Sequence, residues 1–260
     1  MEPDAPPAAG PPGVVVRVAA AGDVHCREDH RDQALAAFAA LRGRADLLLL
    51  AGDLTTHGDP AQAAVLADAC RDLGMPVFAV LGNHDWHLDR HDEVCAALRD
   101  GGIRLLERAW AVIEVGGVEV GVVGVKGFVG GFAGSHLPDF GEPLLREVYR
   151  EGGRDVEALD RGLREIALCP LRLVLLHYAP TLETLEGEQE GILAFLGTDR
   201  LAAPIAEHEP TLAVHGHAHA GSFAGRIGSV PIYNVSVPVL GRDFHVFELR
   251  VPEQAAAPIH

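Results

Sequence analysis

The segment VFAVLGNHD, at residues 77–85, carries the pattern on which the predicted fold rests. It is a short apolar run that stops abruptly at glycine and a group of polar side chains. The same plan occurs twice earlier, in VVVRVAAAGDVH at 14–25 and in DLLLLAGD at 46–53. Short, continuous apolar runs of this kind are typical of strands in a parallel sheet that is covered on both faces.

Helical segments separate these three strands. HRDQALAAFAALRG, at 30–43, has apolar residues at helical spacing and ends at Gly43. DPAQAAVLADACRDLG, at 59–74, has Pro60 near its start and ends at Gly74. Proline is tolerated in the first turn of a helix and glycine commonly follows the last. Strand, helix, strand, helix, strand predicts a parallel layer joined by right-handed crossovers.

The second half of the chain has a different pattern. Residues 109–125 predict a β-hairpin around a Gly-Gly pair, and the glycine-rich stretch 126–141 predicts a loop. Residues 143–168 predict an amphipathic helix that is interrupted at Gly152-Gly153. Four further strands are predicted at 171–178, 211–219, 231–238 and 243–251. A short helix is predicted at 198–208. No linker interrupts these elements, so we predict one domain over 14–252.

The two ends of the chain are rich in proline, alanine and glycine and lack apolar periodicity. We predict flexible tails at 1–13 and 253–260 rather than targeting segments. No apolar run approaches the roughly 18 residues of a membrane span. Four cysteines lack zinc-type spacing and predict free thiols, so we expect a cytoplasmic protein.

Composition and charge narrow the classes of partner. The 260 residues are 48% hydrophobic and 22% charged, as in globular proteins. Asp and Glu number 37 against 21 Lys and Arg, which gives a formal net charge of −16. Such a surface repels polyanions, so we expect neither a nucleic acid polymer nor an anionic membrane as partner. The sequence predicts no oligomeric state.

Polar clusters follow five of the predicted strands. Ligands bind outside the carboxyl ends of strands in open α/β sheets, so clusters that follow neighbouring parallel strands should meet at one edge. Clusters from the second half would join them if a second sheet packs on the first. The clusters contain Asp23 and His25; Asp53; Asn83, His84 and Asp85; His177; and His217 and His219.

Carboxylate, imidazole and amide groups are the ligands of borderline-hard divalent metals. Asp23 and His25 are two residues apart on extended chain, as are His217 and His219, so each pair can face one ion. Seven candidate ligands exceed the needs of one tetrahedral ion but suit two ions that share a carboxylate. Two such ions can stabilise both the attacking and the leaving oxygen of an in-line displacement.

These motifs, D-x-H, GD, GNHD, H and GHxH in this order, resemble those of the calcineurin-like metallophosphoesterase superfamily. The complete set is similar to its class III cyclic-nucleotide phosphodiesterase branch. The resemblance covers about residues 14–240, and GNHD with GHxH is its most specific part. It implies a four-layer αββα sandwich, in which two mixed β-sheets are flanked by helices.

The resemblance also implies roles for individual residues. His84 would protonate the leaving oxygen or stabilise the phosphoryl oxygens, and Asp85 would orient His84. Asp53 would bridge the two metals. The first metal would be held by Asp23, His25, Asp53 and His219, and the second by Asp53, Asn83, His177 and His217.

The charge of such a centre fits a phosphate ester. Two divalent ions bring about +4, two aspartates return −2 and a bridging hydroxide −1, so about +1 remains. A metal-bound water with a pKa near 7 would supply the nucleophile, and a histidine can act as an acid at the same pH. We expect a dinuclear hydrolase of a small phosphodiester, with cyclic nucleotides among the candidate substrates. Manganese is the favoured metal, while Fe, Zn²⁺ and Mg²⁺ also suit the ligands.

Several alternatives stay open at this stage. A phosphomonoesterase could use the same centre. A non-catalytic metal-binding scaffold is a third hypothesis. A DNA-repair nuclease and a lipid-precursor hydrolase are disfavoured, because no basic groove, DNA-binding segment or membrane-contacting cap is evident. We expect the loops 126–141 and 179–197 to determine substrate specificity. The side chain of Cys26 should point away from that of His25, into the core. Five residues near the motifs have either a pocket role or a plain structural one: His57, Trp86, His87, Lys126 and His215.

Overall fold

The computed structural model describes residues 13–252, and the predicted tails lie outside this range except for Gly13. The described residues form two mixed sheets packed face to face between two layers of helices. This is the four-layer αββα sandwich that the sequence predicts. The thirteen strands are β1 Gly13–Ala21, β2 Leu47–Ala51, β3 Val77–Val80, β4 Ile103–Leu105, β5 Ala109–Val115, β6 Val118–Gly124, β7 Gly131–Phe132, β8 Ser135–His136, β9 Leu171–Leu175, β10 Leu212–His215, β11 Ala224–Ile227, β12 Val230–Asn234 and β13 His245–Pro252.

The first sheet has the strand order β13-β1-β2-β3-β4. Strands β1 to β4 are parallel, and β13 pairs with β1 in the antiparallel direction. The second sheet has the order β11-β12-β10-β9-β6-β5, in which β6, β9, β10 and β12 are parallel. The predicted hairpin at 109–125 is confirmed as the antiparallel pair β5–β6.

Strand β2 shows why its sequence is apolar throughout. Leu47 and Leu49 point into the core between the two sheets, whereas Leu48 and Leu50 point into the core under the helices. All four are fully buried. Successive side chains of a strand point to opposite faces, so a strand between two layers needs apolar residues at every position.

The helices cover the outer faces of both sheets. Helices α1 to α3 pack on the first sheet, and α4 and α6 pack on the second. The seven α-helices of the described chain are α1 Arg31–Ala39, α2 Pro60–Cys70, α3 His91–Asp100, α4 Pro143–Glu165, α5 Leu193–Leu196, α6 Ala202–His208 and α7 Val237–Leu240. No helix of the described residues is long and apolar enough to cross a membrane.

The predicted break in the helix at 143–168 is wrong, because α4 runs through Gly152 and Gly153 without interruption. A Cβ at Gly153 would lie 3.0 Å from Nη2 of Arg200. The guanidinium of Arg200 lies over the ring of Tyr149 and donates a 3.0 Å hydrogen bond to the Tyr149 carbonyl. The glycines therefore make room for this side chain, and packing offsets their cost of about 1 kcal/mol each in a helix.

Three further differences concern segments near the site. The predicted loop at 126–141 contains the short hairpin β7–β8. Helix α3 and strands β4 and β11 have no counterpart among the predicted elements. The segment 179–197 forms short helical turns and α5. All four cysteines are free and buried.

Candidate metal centre

The seven predicted ligands all lie just beyond the carboxyl ends of strands. The first sheet supplies four of them after β1, β2 and β3, and the second supplies three after β9 and β10. The parallel direction of these strands brings their ends to one edge of the sandwich. The sequence prediction required two packed sheets for this convergence, and the structure has that arrangement. The residues, in chain order, are Asp23, His25, Asp53, Asn83, His177, His217 and His219.

Asp53 is the central residue of this group and is only 1% exposed. Its Oδ2 lies 3.9 Å from Nε2 of His25, and its Oδ1 lies 3.4 Å from Nε2 of His177. The two carboxylate oxygens therefore face different histidines. Two sets of potential ligand atoms, each within 4.8 Å of one another, share this residue: Asp23, His25, Asp53 and His219 in one, and Asp53, His177 and His217 in the other.

Asn83 belongs to the second of these sets by position. Its Oδ1 lies 2.9 Å from Nε2 of His177. His177 is fully buried, and its Nδ1 donates a 2.9 Å hydrogen bond to the carbonyl of Ala51. Burial lowers the pKa of His177 to about 3, so the ring is neutral and carries one proton. Because Nδ1 holds that proton, the lone pair of Nε2 faces two further oxygen acceptors, on Asn83 and Asp53.

A meeting of three electron-pair donors in a buried place is costly unless a cation lies among them. The donor set therefore fits divalent metal ions. The ring of His25 presents Nε2 to Asp53, and no hydrogen bond holds it there, because its Nδ1 is the only buried side-chain nitrogen or oxygen of the described residues without a partner. Buried polar groups are normally satisfied, so a ligand on Nε2 would account for this orientation.

His217 presents its other ring nitrogen to the site. Its Nε2 donates a 3.1 Å hydrogen bond to the carbonyl of Phe195, in the 179–197 segment, which leaves the lone pair on Nδ1. Burial, and then the neighbouring His177, lower the pKa of His217 to about 3. A neutral imidazole with a fixed tautomer is the form that a metal ligand needs.

Asp23 connects the two sheets. Its Oδ1 lies 2.9 Å from Nε2 of His219, and its Oδ2 accepts a 2.9 Å hydrogen bond from the backbone N–H of His217. Burial raises the pKa of the Asp23 carboxyl to about 6. The hydrogen bond to Asp23 raises the pKa of His219.

The backbone at the centre is not extended, in contrast to the prediction for the Asp23–His25 and His217–His219 pairs, but is held in an uncommon conformation. Seven non-glycine residues of the described chain have positive φ, and four of them are candidate ligands. Such residues are rare outside glycine and concentrate at functional sites, because surrounding contacts must offset their strain. The four are Asp23 at 57°, His25 at 41°, Asp53 at 48° and His217 at 68°.

The motif glycines allow the ligands to approach each other. A Cβ on Gly82, in GNHD, would collide with Oδ1 of Asp53, and one on Gly52 would collide with the ring of His177. Gly52 also has a φ of +82°. The glycines before the ligands are therefore a steric requirement of this edge.

His84 lies beside the ligands with its ring partly exposed. Its Nδ1 donates a 2.9 Å hydrogen bond to the carbonyl of Thr56, and its Nε2 lies 3.9 Å from Oδ2 of Asp53. Its backbone N–H donates to Oδ1 of Asp53 at 2.8 Å. The free Nε2 of His84 is thus directed to the same side of Asp53 as His25.

Asp85 is connected to His84 less directly than the sequence predicts. Its carboxylate does not hydrogen-bond the ring of His84. It is fully buried and accepts hydrogen bonds from the backbone N–H groups of Leu54, Thr55 and Gly82, and from the Thr55 hydroxyl. Burial raises its pKa to about 6. Asp85 therefore fixes the loop that presents the Thr56 carbonyl to His84, which orients the ring indirectly.

Lys126, left open by the sequence, lies on a cavity beside the centre. The cavity is lined by Leu81, Trp86, Leu106, Lys126, Glu151 and Asp155, among others. The Lys126 ammonium lies 4.5 Å from the Phe128 ring centroid and 5.1 Å from that of Tyr178. Burial lowers its pKa. No carboxylate oxygen of the described residues lies within 4 Å of it, although Glu151 and Asp155 line the same cavity.

The other residues named near the motifs are either packed in the core or close to the candidate ligands. His215 is fully buried and bonded to Thr184 Oγ1 at 2.8 Å, so its role is structural. Cys26 packs in the core under the helices, as predicted. The ring of His87 lies 4.3 Å from that of His84, and His57 is exposed. In the acidic 183–190 run, Glu188 accepts a 2.8 Å hydrogen bond from the Ala220 N–H.

Comparison with known proteins gives a family, one curated relative and several solved structures. Residues 16–221 match the model of the calcineurin-like phosphoesterases. A probable cyclic nucleotide phosphodiesterase from Synechococcus sp. is 30% identical over 197 residues, which are 75% of this chain and 66% of that protein. This chain thus matches slightly less than two thirds of the relative's length.

Two solved structures share the fold at low sequence identity. The phosphopantetheinyl hydrolase of Mycobacterium tuberculosis has a TM-score of 0.65 and 17% identity, over 93% of this chain and 98% of that one. A protein from Thermus thermophilus has a TM-score of 0.57 and 18% identity, over 90% of this chain and 99% of that one. At these identities the likeness concerns the fold alone.

Proposed function

Because this chain belongs to the calcineurin-like phosphoesterases, a family of metal-dependent phosphoric ester hydrolases, we propose that it is a dinuclear hydrolase of a small phosphodiester. The observation that carries this proposal is the position of Asp53. It is shared by two sets of ligand atoms, and its two oxygens face different histidines.

In this proposal each ion has four protein ligands. The first would be held by Asp23, His25, Asp53 and His219, and the second by Asp53, Asn83, His177 and His217. The tautomers of His177 and His217, fixed by the Ala51 and Phe195 carbonyls, support this assignment. All ligand atoms are oxygen or nitrogen, which suits Mn²⁺, our favoured metal, as well as Fe, Zn²⁺ and Mg²⁺.

When bound, the ions would supply positive charge for the phosphoryl oxygens and lower the pKa of a solvent nucleophile. The chain's own residues would do the rest. His84, with Nδ1 held by the Thr56 carbonyl, would act in its doubly protonated form and donate the proton on Nε2 to the leaving oxygen. Asp85 would position His84 through the loop at 54–56. The ammonium of Lys126 adds a second positive charge at the edge of the centre.

A phosphodiester is favoured over a monoester by two considerations. The complete motif set, including GHxH, resembles the cyclic-nucleotide phosphodiesterase branch, and the curated relative bears a matching name. A diester carries one negative charge, which matches the residual charge of about +1 that we assign to the loaded centre. A net charge of −16 also disfavours nucleic acid polymers as substrates.

The test compares kcat/KM for bis(p-nitrophenyl) phosphate and p-nitrophenyl phosphate on the Mn²⁺-loaded protein, with metal content measured in parallel. We expect two metal equivalents and a preference for the diester. A strong preference for the monoester would replace the proposal by a phosphomonoesterase. Protein that hydrolyses neither ester, whether or not it binds metal, would favour the non-catalytic scaffold. Assays on 3′,5′-cyclic nucleotides then test that substrate class.

A further inference from the structure

A second group of potential metal ligands lies outside the centre, at the start of α3. His91 and Cys95 are four residues apart on this helix and therefore share one face. Glu107 reaches them from the segment that follows β4. One ligand atom from each lies within 4.8 Å of the others. We refer to these three residues as the His91 cluster.

The sulfur–nitrogen distance in the His91 cluster fits one small ion, and the nitrogen–oxygen contact is a hydrogen bond that the ion would replace. The Cys95 Sγ lies 3.6 Å from Nε2 of His91 and 3.9 Å from Oε2 of Glu107, and Nε2 of His91 lies 2.8 Å from Oε1 of Glu107. Zinc bonds of about 2.3 Å to sulfur and 2.0–2.1 Å to nitrogen would separate these two atoms by about 3.5 Å in a tetrahedron. The observed sulfur–nitrogen distance is therefore close to that of a zinc site.

The ring of His91 contacts two further side chains. Its Nδ1 lies 3.2 Å from Oδ1 of the exposed Asp92. Its Nε2, now hydrogen-bonded to Glu107, would release its proton to solvent when it binds the ion. The indole of Trp86 stacks on the ring, with centroids 4.2 Å apart and planes 26° apart. A carboxylate on the second nitrogen of a histidine is the common outer-shell arrangement of metal sites.

The His91 cluster is buried on one side and open to solvent on the other, as suits a site with three protein ligands. Cys95 is 1% exposed, whereas the side chain of Glu107 is 37% exposed. The protein thus supplies ligands from one side and leaves the other open to a solvent ligand. Sulfur, nitrogen and oxygen together form a softer donor set than the all-nitrogen and oxygen centre, and they favour Zn²⁺.

We propose that the His91 cluster binds one Zn²⁺ ion through Cys95 Sγ, His91 Nε2 and Glu107, with solvent as the fourth ligand. The Cys95 thiol loses its proton to solvent on binding, and no redox step is involved. The ion would join α3 to the segment after β4. Through the stacked Trp86, two residues after His84, it would also hold the GNHD turn.

The competing interpretation is a plain ion pair without metal. In that case His91 and Glu107 pair with each other, and Arg99 Nη2 adds a contact of 3.6 Å to Glu107. Cys95 would then be an ordinary core thiol. The two interpretations differ in one observable, which is whether the sulfur binds a metal.

Cobalt substitution measures this directly. Co²⁺ is titrated into the metal-free full-length protein, and the near-ultraviolet sulfur-to-cobalt charge-transfer band is followed. The catalytic centre has no sulfur ligand, so it contributes no such band. We expect the band in the wild type, its displacement by one equivalent of Zn²⁺, and its loss in Cys95→Ser. Cys70→Ser is the matched control, because Cys70 is buried in the same core and should leave the band unchanged.

Three outcomes would overturn the proposal: no band in the wild type, a band that persists in Cys95→Ser, or a band lost equally in Cys70→Ser. Persistence would point to Cys26, which follows His25 in the chain. If Cys95→Ser fails to fold, Asp92→Asn serves instead, with cobalt affinity expected to fall about 10–100-fold. Phosphoesterase activity with Mn²⁺ is measured separately, so failure of this proposal is distinguishable from failure of the proposed function.

Discussion

The candidate metal centre and the His91 cluster are built in different ways. The centre draws its candidate ligands from five strand ends of two sheets, and its outermost members, Asp23 and His219, are 196 residues apart in sequence yet 2.9 Å apart in space. The His91 cluster takes its three ligands from one helical turn and a nearby segment. The centre contains a buried carboxylate that faces two histidines, whereas Glu107 is partly exposed.

This difference bears on what each site can do. A buried carboxylate shared by two ligand sets can hold two ions at a fixed separation, which suits displacement at phosphorus. A half-exposed triad with a thiol suits a single ion that stabilises structure. We therefore expect substitutions at the centre to change turnover, and substitutions in the His91 cluster to change stability.

The largest effect is expected for Asp53→Asn. Loss of the shared negative charge should weaken both ions and nearly abolish kcat on bis(p-nitrophenyl) phosphate, beyond the roughly 10²–10³-fold cost of one electrostatic group. Glu107→Gln makes the same chemical change in the His91 cluster and should leave kcat close to the wild type. Wild-type turnover in Asp53→Asn would refute the shared carboxylate. An equal loss of kcat in Glu107→Gln would show that the two sites do not differ in their effect on turnover.

His84→Ala separates metal binding from proton transfer within the centre. The backbone N–H of residue 84, which bonds Asp53, is retained, so metal content should stay at two equivalents. Turnover should fall by about 10²–10⁴-fold if the ring donates the proton. The two quantities are measured on the same preparation. A parallel loss of metal would assign His84 to the ligands instead.

Gly82→Ala tests whether the close approach at the GNHD turn matters. The new methyl would meet Oδ1 of Asp53 and displace either the turn or the carboxylate, and a misplacement of about 1 Å can cost about 10²-fold in rate. Gly191→Ala is the control, because an added Cβ there meets no heavy atom within 4 Å. Equal rates for the two variants would show that the turn can relax.

The smallest effect concerns stability. At Zn²⁺ tenfold above its Kd, the His91 cluster should add about 1.4 kcal/mol. That corresponds to roughly 3–6 °C in Tm for a chain of this size. Because zinc also suits the donor set of the centre, the measurement is the difference between the zinc-induced shifts of the wild type and Cys95→Ser. Equal shifts would show that this triad contributes nothing.

Much of the fold could be predicted because its strands have distinct apolar runs and its ligands follow them directly. The αββα sandwich and the β5–β6 hairpin are confirmed. The predicted helix break at Gly152-Gly153 failed because the packing of Arg200, distant in sequence, decides whether glycine is tolerated. The gathering of the seven candidate ligands at one edge matches the expectation, and their binding of metal stays a prediction for metal analysis.

The sequence alone determined the residue types at the strand ends, and with them the family and the class of reaction. Tertiary structure alone decided which ring nitrogen His177, His84 and His217 offer, because the carbonyls of Ala51, Thr56 and Phe195 fix their tautomers from other parts of the chain. It also decided the indirect action of Asp85 and brought Glu107 to His91 and Cys95. Hydrogen bonds and coordination act over about 3 Å in space. The number of residues between two positions in the sequence does not predict these distances.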